Sequence, residues 1–206
     1  VFKIALITYR RRKYPEPHED WTAVDLEALN FPSDFRWGTA TAAHQVEGHL
    51  VNNWSEHEEN KNLERSGAAC DHWNRWKDDF QLLTDLGLSS YRFSIEWSRL
   101  EPTEGEWDEA ALAVYSAMVD DLLHRGIRPV VTLHHFSHPQ WWEAKGGFAN
   151  SANLPEFVRY CERVFDALSE RVDTWVTVNE PTVFSTMGYT LGMFPPGRRS
   201  LRMTIR

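Results

Sequence analysis

The sequence lacks features that mark several classes of protein. It has two cysteines, Cys70 and Cys161, in 206 residues, which is too few for a disulfide framework, and we expect a reducing, cytoplasmic location. No apolar run approaches the roughly 20 residues of a membrane helix. Lysine and arginine total 22 against 30 acidic residues, and a formal net charge of -8 argues against nucleic-acid binding through bulk charge. The sequence therefore predicts a globular protein with neither a membrane nor a nucleic-acid partner.

The length and the ends of the chain suggest its domain organisation. A chain of 206 residues is long enough for one domain with one sizeable core. The largely apolar segment Val1–Ile7 precedes the basic block Arg10–Lys13, which is the reverse of a signal peptide, and no small-residue cleavage site follows. The chain also has no initiating Met. We expect residues 1–28 to be an extension outside the fold, residues 29–206 to form the domain, and the chain to be a fragment.

Four strand-and-helix units follow one another at intervals of about 40 residues. The strands are predicted at residues 35–39, 90–95, 129–134 and 174–179. Such units imply a parallel sheet covered by helices. One candidate architecture is a complete doubly wound sheet, and the other is the first four units of a (β/α)8 TIM barrel, which takes roughly 250 residues or more. No Gly-x-Gly-x-x-Gly motif follows a strand, which weakens the dinucleotide-binding form of the first.

Capping signals predict where the long helices begin. Asp71 and Asp108 are the expected N-caps of the first two, and Asn153 with Glu156 resembles a capping box that opens the third. Apolar residues recur at helical spacing behind each cap, with Leu86 closing the first stripe.

Polar residues at the carboxyl ends of the strands are candidates for a ligand site, because parallel βα folds bind ligands there. The fourth strand ends in Asn179-Glu180-Pro181. The apolar strand would partly desolvate the Glu180 carboxyl, which favours its protonated form and suits a general acid. The alternative is a glutamate that serves as a turn or helix-start residue before Pro181.

The third strand is followed by a cluster of His134, His135 and His138. The spacing does not match His-Glu-x-x-His and the segment is not helical, so a metal site is not favoured. A histidine at a strand end can instead bind a substrate hydroxyl or pack within the structure. A complete doubly wound enzyme that uses this cluster to bind a metal is the rival hypothesis.

Two further residues bear on the site. Arg92 lies within a predicted strand, where a charge needs a partner. In a barrel it would point to the centre and pair with a carboxylate, and otherwise it would lie on the outer layer beside a helix. Gln45 follows the first strand, and its amide can bind two sugar hydroxyls or lie on the surface. A tryptophan can pack in a core or loop or stack on a sugar ring, and the high number of ten tilts the interpretation towards a carbohydrate ligand.

Four segments resemble, in order, glycoside hydrolase family 1, the β-glucosidase family. They are Phe31–Gly48 (FPSDFRWGTATAAHQVEG), Tyr91–Arg99 (YRFSIEWSR), Thr132–Phe136 (TLHHF) and Val178–Pro181 (VNEP). The first is similar to the family's N-terminal signature, and the resemblance covers about residues 30–200. It implies an α/β fold, the first four βα units of a (β/α)8 TIM barrel.

The resemblance also implies an activity and a set of site residues. The activity is retaining hydrolysis of β-linked glucosides or galactosides without a cofactor or metal. Glu180 would be the acid/base catalyst, and Asn179 would hold the sugar 2-hydroxyl. Gln45 and His135 would bind glycone hydroxyls, and Arg92 would lie under the nucleophile and keep it ionised.

The sequence departs from the family pattern in two places. Many members have Trp at the position of Phe136, and Phe lacks the indole donor for a sugar hydroxyl. The Thr-Glu-Asn-Gly-like segment that carries the nucleophile is not in the sequence, although retention needs two carboxyls roughly 5 to 5.5 Å apart. We therefore expect a β-glycosidase parent and an inactive isolated chain that self-associates or pairs with a C-terminal half through its open sheet edges. The alternative is a non-catalytic half barrel or sugar-binding remnant.

Overall fold

The computed structural model describes residues 31–204. Residues 1–35 form one unit and residues 36–206 another. In the described part of the first, the Phe35 amide donates to the Pro32 carbonyl over 2.9 Å. The expectation that residues 1–28 lie outside the fold concerns residues beyond the described range and stays a prediction.

Four parallel strands form one sheet whose order follows the chain. They are β1 (Gly38–Ala40), β2 (Ser90–Ser94), β3 (Arg128–His134) and β4 (Thr174–Val178). The register places Arg92 opposite Val130 and His134 opposite Val178. A doubly wound sheet reverses its strand order at a switch point, whereas here every strand pairs with its neighbour in sequence, as in a barrel.

Helices connect the strands, and the long ones pack against one face of the sheet. Those described are α1 (Ala43–Val46), α2 (Asn53–Asn60), α3 (His72–Asp85), α4 (Trp97–Leu100), α5 (Glu109–His124), α6 (Gln140–Ala144), α7 (Leu154–Leu168), α8 (Pro181–Ser185) and α9 (Leu201–Thr204). Two 3-10 turns (Gly147–Ala149 and Ser151–Asn153) precede α7, and a π-helical turn (Thr186–Thr190) follows α8. In the described part of the chain, no helix has the length and apolar character needed to cross a membrane.

The core lies between the sheet and the crossover helices α3, α5 and α7. Its fully buried members include Tyr115, Val119, Leu122, Val131, Tyr160, Val164 and Leu168. The Tyr160 hydroxyl lies 2.8 Å from the Leu133 carbonyl and 3.1 Å from the Ile95 carbonyl. It therefore ties the carboxyl ends of β2 and β3 to α7 and satisfies backbone groups that water does not reach.

The predicted cap of α5 is confirmed, because the Asp108 carboxylate accepts the Ala111 amide over 2.9 Å. Asp71 is the N-cap residue of α3, as predicted, but its side chain makes no capping hydrogen bond. Asp71 precedes α3 with a left-handed backbone, φ 54°, and its carboxylate accepts from the Asn74 side chain instead. The left-handed conformation turns the side chain away from the first helical amides, which an N-cap in extended conformation would reach.

The capping box predicted for α7 is also wrong. The Asn153 side chain is buried and donates to the carbonyls of Lys145 and Gly147, each over 3.2 Å. It therefore closes the preceding loop and does not cap α7. Leu86, expected in the buried stripe of α3, is 71% exposed because it lies just past the last helical turn.

Candidate active site at the carboxyl ends of the strands

The segment after β1 is held by hydrogen bonds between buried or half-buried side chains. Asn52 caps α2 by accepting the amides of Trp54 and Ser55, and its side-chain nitrogen lies 3.1 Å from Nδ1 of His44. With Nδ1 accepting, Nε2 of His44 donates to the Glu58 carboxylate over 3.0 Å. This arrangement fixes α1, which carries Gln45, against α2.

Glu58 also anchors the loop that follows α2. One carboxylate oxygen accepts from both the amide and the hydroxyl of Ser66, over 2.9 and 3.2 Å. Burial alone would raise the pKa of Glu58, but the hydrogen bonds from Ser66 and His44 outweigh it and lower the pKa. Glu58 thus stays ionised as a structural carboxylate next to Gln45.

The loop after β3 is strained and firmly held. Phe136 has a left-handed backbone, φ 69°, which is unfavourable for an aromatic residue. Its carbonyl accepts from the side chains of Asn53 and Trp54 over 3.2 and 3.0 Å. The Asn53 side-chain oxygen in turn accepts the amide of His138 over 2.9 Å. These bonds from α2 set the conformation in which His135 and Phe136 face the carboxyl end of the sheet.

A chain of hydrogen bonds joins β2, β3 and β4 on the inner face of the sheet. Arg92 donates through Nε to the Thr132 hydroxyl over 2.8 Å and through Nη2 to Oδ1 of Asn179 over 2.6 Å. Because Oδ1 faces the guanidinium, Nδ2 of Asn179 donates to Nε2 of His135 over 3.2 Å. Within residues 31–204 the partners of Arg92 are thus a hydroxyl and an amide oxygen, and the expected carboxylate partner, which would come from the absent nucleophile, stays a prediction.

His135 is a neutral imidazole of defined tautomer. Burial, and secondarily the neighbouring Arg92 charge, lower its pKa to about 4. With Nε2 accepting from Asn179, the proton resides on Nδ1. This Nδ1 is buried and has no hydrogen-bond partner within residues 31–204.

Glu180 directly follows this chain of bonds. It occupies the N-cap position of α8 with a left-handed backbone, φ 42° and ψ 61°, and its side chain makes no capping bond. Its carbonyl accepts the Phe184 amide over 3.0 Å. The side chain is exposed, so the expected desolvation by the apolar strand is wrong for this chain, because β4 leaves the carboxyl beyond its end.

The described part of the chain forms an open cleft of about 460 Å³ beside these residues. It is lined by Ala42, His44, Gln45, Trp54, Glu58, Ser66, His135, Phe136 and Phe194. Two predicted site residues, Gln45 and His135, meet on it. Sequence reasoning missed Trp54 and Phe194, whose rings lie 4.9 Å apart and form the aromatic wall of the cleft. The high tryptophan content was the only signal in the sequence that pointed towards such a wall.

Two other carboxylates near the strand ends are bonded within the protein. Glu47 is 2% exposed and accepts from Arg99 over 3.0 Å and from the Tyr115 hydroxyl over 2.6 Å. Burial outweighs the Arg99 charge and raises the pKa of Glu47 to about 7. Glu96 accepts from the hydroxyls of Ser98 and Ser137 over 2.7 and 2.6 Å. Both join strand-end loops to the core.

The three histidines after β3 are not gathered around a common point. His135 bonds to Asn179, whereas Nε2 of His134 lies 3.2 Å from Nδ1 of His138, and Nε2 of His138 lies 2.8 Å from the Glu143 carboxylate. Residues 31–204 contain no group of three or more His, Cys, Asp or Glu side chains arranged to hold a metal ion. Cys70 and Cys161 are free thiols.

The fold and the site define an α/β-barrel type of protein, with a glutamate, an amide and a neutral imidazole at the carboxyl ends of its strands. Residues 27–205 match the family described as glycosyl hydrolase family 1. The chain therefore belongs to glycosyl hydrolase family 1, and its four βα units are the first half of the barrel.

Known relatives share this part of their sequence. The chain is 37% identical over 192 residues to β-glucosidase A of Thermotoga maritima, covering 88% of this chain and 43% of that protein. It is 39% identical over 182 residues to the human cytosolic β-glucosidase, covering 82% and 39% of the two chains. It is 40% identical over 189 residues to the coniferin β-glucosidase of Pinus contorta, covering 86% and 37%. The chain thus spans about two fifths of the length of these relatives.

Solved structures confirm the fold. The β-glycosidase of Pyrococcus horikoshii superposes with a TM-score of 0.83 at 46% identity, covering 86% of this chain and 42% of that one. The Thermotoga maritima β-glucosidase in complex with deoxynojirimycin superposes with a TM-score of 0.80 at 36% identity, covering 84% and 42%.

Proposed function

We propose that the parent protein is a retaining β-glycosidase acting on β-linked glucosides or galactosides, and that this chain supplies its acid/base catalyst. The observation that carries the proposal is the Arg92–Asn179–His135 chain of hydrogen bonds, which ends directly before Glu180. Retention needs one carboxyl that protonates the leaving oxygen and later deprotonates water, and a second that attacks the sugar. Glu180 has the first role. Its carboxyl is exposed, as suits a group that has to reach a bound substrate.

The neighbouring residues suit the glycone. Asn179, held by Arg92 and hydrogen-bonded to His135, presents its amide to the sugar 2-hydroxyl. His135 and Gln45 both line the cleft, and the Gln45 amide carries two donors and an acceptor for sugar hydroxyls. Fixed tautomers and amide orientations place these groups without reorganisation when substrate binds, which is the basis of electrostatic preorganisation.

The nucleophile has to come from outside these 206 residues, because they contain no Thr-Glu-Asn-Gly-like segment. We propose a C-terminal half as the partner that supplies it. Within the described sheet, β1 pairs only with β2 and β4 only with β3, so both edges are available for the further strands of a barrel. Arg92 would then lie beneath the incoming carboxylate and keep it ionised.

Two observations support a cytoplasmic location for the parent. Both cysteines are free thiols, which a reducing compartment maintains, and a human relative is named a cytosolic β-glucosidase.

Complementation tests the proposed function. The chain is assayed with an aryl β-glucoside, alone and mixed with a separately expressed C-terminal half of a related enzyme. We expect turnover only in the mixture, and Glu180→Gln should lower kcat by about 10²- to 10⁴-fold, the usual contribution of general acid–base catalysis. Glu170→Gln is the matched control, because Glu170 is exposed and precedes β4 at its amino end.

The leaving group separates loss of acid catalysis from a damaged site. A poor leaving group needs protonation more than a nitrophenolate does, so Glu180→Gln should slow an alkyl β-glucoside more than a nitrophenyl β-glucoside. Equal losses on both substrates would contradict the acid role. Turnover by the chain alone would mean that another carboxylate acts as the nucleophile, and sugar binding without turnover in the mixture would favour the non-catalytic remnant.

A further inference from the structure

A buried line of hydrogen bonds lies behind the site. The Glu143 carboxylate accepts from Nε2 of His138 over 2.8 Å, and Nδ1 of His138 lies 3.2 Å from Nε2 of His134. Both imidazoles are 0% exposed. Gly147 leaves room for the carboxylate, because a Cβ at that position would lie 3.1 Å from Oε2 of Glu143.

This geometry fixes both tautomers. A carboxylate only accepts, so Nε2 of His138 carries the proton and its Nδ1 accepts from Nε2–H of His134. Nδ1 of His134 is then a lone pair, buried without a partner in the described part of the chain. Burial, with His138 and His135 nearby, lowers the pKa of His134 well below its ordinary value, so the ring stays neutral.

The two imidazoles form part of a box around Phe184. The Phe184 ring meets His134 edge to face at 5.2 Å and Phe148 at 5.7 Å. It also lies 6.4 Å from His138 and is stacked 6.1 Å from Phe136. Edge-to-face contacts depend on ring orientation, and the hydrogen bonds of the two imidazoles set that orientation.

Phe184 connects the box to Glu180. Its amide donates to the Glu180 carbonyl in the first turn of α8, and the His134 carbonyl accepts the Asn179 amide over 2.9 Å. Glu180 itself is held at φ 42°, a left-handed conformation that is unfavourable for a non-glycine residue and persists only where its surroundings enforce it.

We propose that Glu143, His138 and His134 are positioning residues, which orient Phe184 and thereby hold the backbone of Glu180 in its left-handed conformation. The inference rests on the proposed acid/base role of Glu180 and deepens it. Of the three residues, Glu143 acts on Glu180 most indirectly. Its effect passes through the imidazoles of His138 and His134 and the edge-to-face contact of His134 with Phe184.

Imidazole NMR of the ¹⁵N-labelled 206-residue chain tests this without substrate or a second half, so its result is independent of whether the proposed activity exists. We expect Nε2 of both His134 and His138 to carry a proton and Nδ1 of His134 to carry none. Glu143→Ala should remove the tautomer preference of His138 and shift the amide resonances of residues 182–184. Glu143→Gln keeps an acceptor oxygen, so in this variant the His138 tautomer and the amide resonances of residues 182–184 should match those of the wild type.

Two further variants separate positioning from general loss of stability. Asp108→Ala removes a helix cap far along the chain and should leave the imidazoles and residues 182–184 unchanged. Phe184→Leu should move those amides while His134 and His138 keep their tautomers. An Nδ1–H tautomer at either histidine in the wild type overturns the proposal, as do unmoved amides at residues 182–184 in Glu143→Ala or, if that variant does not fold, in Phe184→Leu.

Discussion

Glu47 offers a direct test of how burial and charge compete in this fold. Its carboxyl is 2% exposed and lies between the Arg99 guanidinium, at 3.0 Å, and the Tyr115 hydroxyl, at 2.6 Å. Arg99 has other contacts, since it also donates to the Gly48 carbonyl and stacks 3.9 Å from the Trp73 ring. Replacing Glu47 by Gln keeps the shape and an acceptor oxygen but removes the titrating group.

The sign of the effect follows from proton linkage. Burial raises the pKa of Glu47 from 4.5 to about 7, so the folded state binds this proton more tightly than the unfolded chain does. The stabilisation from protonated Glu47 is therefore fully present below pH 4.5 and is lost as pH rises through about 7. At about 1.4 kcal/mol for each pKa unit, the change across this window is about 3 kcal/mol.

Urea unfolding, followed by tryptophan fluorescence at several pH values, measures the effect. The free energy of unfolding of the wild type should fall relative to that of Glu47→Gln by about 3 kcal/mol between pH 4.5 and pH 8. All other titrating groups are common to both proteins and cancel in the difference. Two outcomes would refute the reasoning. The difference in free energy of unfolding between the two proteins could stay constant with pH, or the wild type could become more stable relative to Glu47→Gln as pH rises, which would show that the Arg99 charge outweighs burial.

Three further predictions concern single side chains. Asp108→Ala should lower the free energy of unfolding by about 1 kcal/mol through loss of the α5 cap, whereas Asp71→Ala, which loses no cap bond, should lower it by less than about half of that in the same urea titration. Tyr160→Phe removes the single hydroxyl proton that two buried carbonyls share and should cost about 1 to 3 kcal/mol; an unchanged unfolding midpoint would contradict the bridging role. In NMR titrations His135 should titrate near pH 4, and Arg92→Met should raise its pKa; a wild-type value near 6.5 would contradict the assigned burial and charge.

The strands and long helices were predictable because their signals are local. Beta-branched and apolar runs placed β2, β3 and β4 to within about two residues of their observed ends. Gly87 and Gly126, with φ of 68° and 73°, follow α3 and α5 and adopt the left-handed conformation that commonly ends a helix. The choice of a barrel came from the family resemblance, because periodicity describes units and not the order in which they pair.

The misplaced predictions involve side chains with several possible partners. Asn153 can cap a helix or close a loop, and only the position of Lys145 and Gly147 decides between them. Arg92 on β2 donates to Thr132 on β3 and to Asn179 just after β4. These contacts depend on strand register and were not predicted, whereas the expected carboxylate partner stays a prediction. The roles assigned to Gln45, His135, Asn179 and Glu180 remain predictions, for which the structure supplies positions and hydrogen bonds.

The strand order described above has a consequence during protein synthesis. Each of β2, β3 and β4 pairs with the strand made just before it. Among the described residues, the buried core that β2, β3, α5 and α7 form ends at Val172, with Trp175 of β4 packed against it. The hydrogen-bonding and burial that stabilise this part can therefore form vectorially as the chain leaves the ribosome, at about 5 to 20 residues per second. The carboxyl ends of these strands would then be in place before a nucleophile-bearing half emerges, and we expect nascent chains arrested beyond Thr204 to resist proteolysis over β2 to α7.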